Sequence, residues 1–455
     1  MPPIFLESLE GLPGFDRTAF DNVHQSGEQV TSIRLNPSKI KQVSFIGAIV
    51  EEAVPWASHG YYLSQRPSFT LDPIFHAGAY YVQEASSMFL EQALQQTADL
   101  SLPIKVLDLC AAPGGKSTLI QSLISNKSLL VSNEVIKTRV NILAENITKW
   151  GAANAVVTSN DPKDFQRMQN YFDVIVVDAP CSGSGLFRKD AAAIAEWSPQ
   201  NVIMCSQRQQ RILADVLPAL KEGGNLIYST CSYSESEDEA IADWLINDCN
   251  LLSAQINILP EWNIVETQSA QHKAYGYRFY PDKVKGEGFF IAAFTKGEKT
   301  ASEWQTGKYK TKSERLTAKE LGIVKPYLKD SDDFFFIKQK DDVIAMPGHL
   351  ENDLAAIQFS LYIKKAGIKL GNIIHNELLP DHELALSIII KSSMPGVEVD
   401  KETALQYLRR QEIKIATDIK GWALLTHQHL PLGWVKILPN RINNYYPKEW
   451  RIFNK

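Results

Sequence analysis

Between residues 105 and 230 short apolar runs alternate with longer stretches in which apolar residues recur every three or four positions. Lys105-Val-Leu-Asp-Leu-Cys110, Leu129-Leu-Val-Ser-Asn-Glu134, Asn154-Ala-Val-Val-Thr158, Asp173 to Val177 and Leu226 to Thr230 are such runs. They are rich in β-branched and aliphatic residues, as strands buried on both faces are. The stretches between them predict helices over about 117–125, 137–150 (closed by Gly151), 162–168 and 199–220, with Gly223-Gly224 as a turn. Repeated βα units imply a doubly wound, mostly parallel sheet with right-handed crossovers. Gly78-Ala-Tyr-Tyr-Val-Gln83-Glu84 leads into this region through a further helix, Met88 to about Gln95. Residues 1–75 mix short helical and strand patterns and suit a small α+β domain.

After the strand-like Gly288-Phe-Phe-Ile-Ala-Ala-Phe294 the pattern breaks. Lys296 to Lys319 has few large aliphatics and many lysines, the composition of an exposed linker. Phe334-Phe-Phe-Ile337, Leu361-Tyr-Ile-Lys-Lys365 and Leu370-Gly-Asn372 read as short strands, so 296–382 is a linker with a small β-rich region. From about Glu383 strands return at Gly421–Thr426, Gly433–Ile437 and Arg441–Pro447. Residues 434–455 carry five Lys/Arg against one Glu, interleaved with Trp434, Tyr445, Tyr446, Trp450 and Phe453. Basic plus aromatic suits phosphate contact and base stacking. A small β domain with a solvated basic rim has the same composition, and both readings stand at this point. At 455 residues the chain divides into 1–75, 76–295, 296–382 and 383–455.

A net charge of −5 means that any nucleic-acid contact must rest on local patches. The five cysteines form no C-x-x-C pair and no metal-type spacing with histidine, so no metal is expected. Their odd number suggests reduced thiols and a cytoplasmic setting. No signal peptide is read at the start, and no apolar run nears the ~20 residues of a membrane span.

Chemistry concentrates at the predicted carboxyl ends of the strands, where α/β sheets bind ligands. The first such turn is Asp108-Leu-Cys110-Ala111-Ala112-Pro113-Gly114-Gly115-Lys116-Ser-Thr118. Its small residues let a ligand approach backbone N–H groups at a helix N-terminus. One reading is a phosphate-binding loop that lacks its first glycine, with Asp178 as its magnesium-binding acid. The other is S-adenosylmethionine, with Glu134 after the second strand for the ribose and Asp161 after the third for the adenine. Cys205 and Cys249, on predicted helices, read as small buried hydrophobes. Cys181 and Cys231 instead close two strands of one sheet, in Ser/Gly/Pro-rich turns beside Asp178. A thiolate there can attack an electron-poor carbon such as cytosine C6, which makes C5 able to accept a methyl group. The adduct must then lose its C5 proton so that the thiol can leave.

Asp-x-Cys-Ala-Ala-Pro-Gly-Gly-Lys, Asp178-Ala-Pro-Cys-Ser-Gly and Ser229-Thr-Cys-Ser, in this order, resemble the Sun-type RNA cytosine-5 methyltransferases. Ser32-Ile-Arg-Leu-Asn-Pro37 and Arg278-Phe-Tyr-Pro-Asp-Lys-Val-Lys-Gly-Glu-Gly288 are similar to further blocks of that family. The segment Leu432-Gly-Trp-Val-Lys436 to Trp450 resembles the RsmF-type bacterial ribosomal RNA enzymes, with their PUA-like RNA-binding module. The resemblance implies a Rossmann-like methyltransferase sheet flanked by the N-terminal domain and a C-terminal PUA-like domain. It makes Cys231 the nucleophile and Cys181 the thiol that assists release. Asp178 would meet the cytosine edge near the cofactor's methyl end, and Lys189 the target base. Residues 110–116, Glu134 and Asp161 would hold S-adenosylmethionine, although Asn160-Asp161-Pro162 departs from the family's usual turn. The implied partner is RNA, small-subunit ribosomal RNA first and transfer RNA as the alternative, free or in a ribosomal particle. No obligate protein partner or membrane is expected.

Overall fold

The computed structural model describes residues 1–41, 49–297 and 313–453. Most of the Lys296–Lys319 stretch read as a linker therefore lies outside the described residues. Its ends do not behave as a linker: Lys296 closes a strand, and Lys319 sits in the helix Ala318–Val324, which Thr317 and Glu320 cap reciprocally.

The central sheet has ten strands. Five are parallel: β1 (Lys105–Asp108), β2 (Leu129–Asn133), β3 (Ala155–Thr158), β4 (Phe172–Asp178) and β5 (Leu220–Thr230), ordered β3-β2-β1-β4-β5. The expected turn at Gly223-Gly224 falls within β5, which starts at Leu220 and shifts register against β4. Beyond β5 lie β6 (Leu251–Ala254), β7 (Val265–Gln268), β8 (Tyr275–Phe279) and β9 (Phe289–Lys296), joined antiparallel. A helix over Leu90–Thr97 answers the one expected from Met88, and the helices joining the strands include α1 (Gly115–Leu123), α2 (Lys137–Trp150), α3 (Pro199–Val216) and α4 (Glu239–Asn247).

Alternation explains the continuous apolar runs. Val106, Leu130 and Val174 point into one core with Leu119 of α1 and Leu143 of α2. Their neighbours Leu107, Val131 and Ile175 point into the other, with Leu213 of α3 and Ile241 of α4. Both faces are covered, so side chains of either parity must be apolar. Cys205 lies buried on α3 as expected, but Cys249 does not lie on a helix. It stands in the turn after α4, because Asn250 takes a positive φ that ends the helix.

The flanking regions share cores with one another. Ile33, Leu35 and Tyr80 of the N-terminal four-stranded sheet share a core with Leu425 and Val435 of the C-terminal sheet, Tyr407 of the helix Lys401–Leu408 and Tyr446 beyond the last strand. The region after residue 312 forms a five-stranded sheet and α5 (Glu351–Ser360), whose Leu354 and Ile357 join the core under α3. Residues Ile363–Ala366 of that region form β10, which pairs antiparallel with β3 and extends the central sheet. Asn160 fastens this join: Nδ2 donates to Tyr362 O (3.0 Å) and Oδ1 accepts from Tyr362 N (2.9 Å). We expect Asn160→Ala to cost about 1–3 kcal/mol by stranding these groups. Urea unfolding with amide exchange at Tyr362 measures it, and unchanged stability and protection would deny the join any weight.

Candidate active site

β1, β2, β4 and β5 all end at one rim of the sheet, and the chemistry-bearing side chains stand there. Backbone hydrogen bonds from Leu109 N to Val176 O and from Ala111 N to Asn133 O tie the first loop to its neighbours. Asp108 is fully buried at the end of β1, accepts from Ser117 Oγ (2.6 Å) and leaves Oδ1 without a partner. Burial lifts its pKa to about 7, against the pull of Ser117 and Lys116. Lys116 pairs with Asp178 (Nζ to Oδ2, 2.8 Å), and Asp178 Oδ1 accepts from Ser229 Oγ (2.8 Å). Burial works against the ammonium, but Asp178 and Asp108 outweigh it and hold Lys116 above the ordinary lysine range.

Cys181 and Cys231 meet with Sγ to Sγ at 3.0 Å. The contact with Cys231, then burial, raises the Cys181 thiol above its ordinary value. Their loops cross at Gly185, whose N–H donates to Cys231 O (2.8 Å) and whose O accepts from Gly288 N. A Cβ at Gly185 would fall 2.4 Å from Gly288 O and 2.8 Å from Cys231 O, so only glycine fits. Burial pushes the Cys110 thiol up as well, which suits a backbone role for that residue in the loop.

A cavity of about 210 Å³ opens beside this group, lined by Cys110–Pro113, Gly115, Lys116, Asp178, and Tyr81, Gln83 and Glu84 from the preceding segment. At Gly115 a Cβ would stand 3.3 Å from the Tyr81 ring and crowd the space. Glu134 is buried at the end of β2, where its Oε1 accepts from Ile136 N (2.8 Å) and Arg139 approaches Oε2 at 3.4 Å. An open-sided glycine loop, an orphaned carboxylate oxygen and a fixed acid after β2 fit a cofactor made of adenosine and an amino acid. A phosphate loop fits poorly, because the Ser117 hydroxyl that would serve magnesium is buried on Asp108. A larger cavity of about 550 Å³, near Lys127 and His349, contains neither cysteine.

The remaining candidates sit further out. Asp161 is half-buried, and its Oδ1 accepts from Lys163 N (3.2 Å), capping the short helix Pro162–Met168. Lys189 pairs with buried Glu287 at 3.6 Å, and Arg188 grips the same carboxylate with two bonds of 3.1 Å. Arg34 lies in Ser32-Ile-Arg-Leu-Asn-Pro37 and carries no local signal of a role in the sequence. The structure buries Arg34 against Trp150, with donations to Gln83 Oε1 (2.8 Å) and Thr118 Oγ1 (2.6 Å). The N-terminal sheet thereby braces the start of α1, next to the Cys110–Lys116 loop. In the C-terminal region Trp434 and Tyr446 are core residues. Lys436 stands 5.2 Å from the Trp422 ring, beside the partly exposed Tyr445.

The order β3-β2-β1-β4-β5 with an acid closing the second strand is common to folds that bind adenosine-containing cofactors, and the relatives of this chain place it among the S-adenosylmethionine-dependent methyltransferases. Comparison with known proteins narrows the class. Residues 96–295 match the model of the 16S rRNA methyltransferase RsmB/F family, 1–85 the RsmF N-terminal domain and 395–452 the RsmF PUA domain. Ribosomal RNA small subunit methyltransferase F of Shewanella woodyi is 31% identical over 92% of this chain and 90% of its own. The protein of that name from Salmonella typhi is 30% identical over 92% and 89%. A methyltransferase homologue from Pyrococcus horikoshii is 26% identical, with a TM-score of 0.52, over 65% of this chain and 100% of its own. NSun6 from Pyrococcus horikoshii, solved with SFG, shares the fold at 19% identity and a TM-score of 0.54, over 66% and 99%. The chain belongs to the RsmF family.

Loss of the Glu134 carboxylate should weaken S-adenosylmethionine binding by about 1–3 kcal/mol, the cost of stranding a charged group's partners. Calorimetry on Glu134→Ala measures this, and unchanged affinity would remove Glu134 from the site.

Proposed function

We propose that this protein methylates C5 of a cytidine in small-subunit ribosomal RNA, in the cytoplasm, through a covalent adduct on Cys231. One observation carries the reading: two thiols 3.0 Å apart at the ends of adjacent strands, beside the Asp178–Lys116 pair. S-adenosylmethionine, when bound by residues 110–116, Glu134 and Asp161, supplies the electrophilic methyl group. The target base leaves its stack to reach the rim. Asp178, paired with Lys116, accepts from the cytosine edge, and Lys189 lies on the approach to the base. Cys231 as thiolate adds to C6, and electron density moves to C5, which becomes enamine-like. After methylation Cys181 takes the C5 proton, the C5–C6 double bond re-forms, and Cys231 leaves with the bonding electrons. The relatives' name favours ribosomal over transfer RNA as the substrate. The C-terminal module would dock RNA through Trp422, Tyr445, Lys436 and Arg441.

Cys231→Ala should abolish both methylation and covalent RNA. Cys181→Ala should accumulate enzyme joined to methylated RNA, seen as a slow band on a denaturing gel, and the double variant should lose that band. The reverse pattern would mean that the two roles are exchanged. Full activity of Cys181→Ala with no trapped species would leave Cys181 a loop residue.

Lys436→Ala with Arg441→Ala should weaken RNA binding and flatten its salt dependence, leaving cofactor affinity alone. Equal RNA affinity and an equal salt slope would make this face a solvated rim.

A further inference from the structure

Glu235-Ser-Glu-Asp-Glu239 follows Cys231 in the chain and has the composition of a solvated turn. The structure turns it inward, and Glu237 is completely buried. Its Oε1 accepts from Ser182 N (2.8 Å) and Gln209 Nε2 (3.1 Å). Its Oε2 accepts from Ser182 Oγ (2.5 Å) and Ser232 Oγ (2.7 Å). Among the described residues no lysine or arginine pairs with it. Ser182 and Ser232 are the residues that directly follow Cys181 and Cys231. The backbone of Glu237 is itself anchored, since Tyr228 Oη of β5 donates to its O at 2.6 Å.

A buried carboxylate without a cation is retained only where its hydrogen bonds are complete. Here four donors converge on two oxygens. A glutamine would keep one oxygen for Ser182 N and Gln209 Nε2 but would set an NH2 against the two hydroxyls, so both serines would have to turn and accept, and the charge that strengthens all four bonds would be lost. The carboxylate therefore joins the two thiol-bearing loops by name: one oxygen holds both serines, and the other holds the Ser182 amide. We propose that Glu237 is a positioning residue which, through Ser182 and Ser232, fixes the separation of the Cys181 and Cys231 thiols. Its negative charge also adds to the Cys231 contact and to burial in keeping the Cys181 sulfur basic. This deepens the reading of a two-thiol cycle and rests on it for its functional meaning, but the distance it sets can be measured without RNA.

The test uses the full chain and two variants, Glu237→Gln and Ser232→Ala. Diamide joins Cys181 and Cys231 as a disulfide, taking up the two protons and two electrons released, and peptide mass spectrometry follows the rate. We expect Glu237→Gln to slow this cross-link at least about tenfold and Ser232→Ala to slow it less. The pH profile of Cys181 alkylation by iodoacetamide should move to lower pH in Glu237→Gln, since the neighbouring charge is gone. Glu237→Asp should recover part of the methylation lost in Glu237→Gln. If Glu237→Gln fails to fold by circular dichroism, Ser232→Ala carries the cross-linking arm. Wild-type cross-linking and alkylation in the folded variants would overturn the clamp, even if adducts with RNA still form. Slowed cross-linking with no RNA adduct in the wild type would keep the clamp and sink the cytosine reading.

Discussion

The register between β4 and β5 sets Asp178 opposite Ser229, so both strands leave the sheet at the same height. Cys181 comes three residues after the one and Cys231 two residues after the other. A slip of one residue would displace one thiol by about 3.3 Å, more than the whole distance between the sulfurs. That slip is blocked far from the rim, because it would turn Val174 and Ile175 each toward the wrong core. Packing below thus enforces chemistry above. Gly185, where the two loops touch backbone to backbone, leaves no slack at the point of exit.

Charge at the rim gathers around Lys116, with Arg139 against Glu134 at its edge. Asp108, Asp178 and Glu134 crowd the ends of β1, β4 and β2, and Asp108 feels the other two as like charges. Lys116 sits among them in direct contact with Asp178 and with its ammonium near the Phe289 ring. Burial leaves Asp108 poised to hold a proton. Among the described residues Glu237 has no such cation and is held by hydrogen bonds, so the two carboxylates beside the thiols are stabilised by different means.

Much of this was legible in the chain. Val174-Ile-Val-Val-Asp178 and the βα alternation could be read because two buried faces demand apolar residues throughout. The cysteines stood out because each ends such a run. The resemblance, not the spacing, separated their roles. β10 was harder: Ile363-Lys-Lys-Ala366 carries two charges in four residues, as an edge strand does, and nothing local names its partner. Glu237 was hidden in an acidic run whose composition is that of surface, and only the return of α4 against β5 brings it inside. The shared cores were invisible for the same reason, since Ile33 and Tyr446 meet across most of the chain length. The aromatic tail was half legible, with Trp434 and Tyr446 spent on packing and Tyr445 left toward solvent.

The position of β10 has a consequence for how the protein is made. β3 is complete once residue 158 has been synthesised, yet the strand that covers its edge ends at Ala366. Until then the hydrogen-bonding groups of Val156 to Thr158 face outward, a ready template for another chain. The nascent sheet therefore passes through a state with one open edge while more than two hundred further residues emerge, including all of β4 to β9. Synthesis proceeds at about 5–20 residues per second, so that exposure lasts on the order of ten to forty seconds. The catalytic half of the molecule is finished before it is sealed, and its solubility during that interval depends on what shields β3 in the meantime.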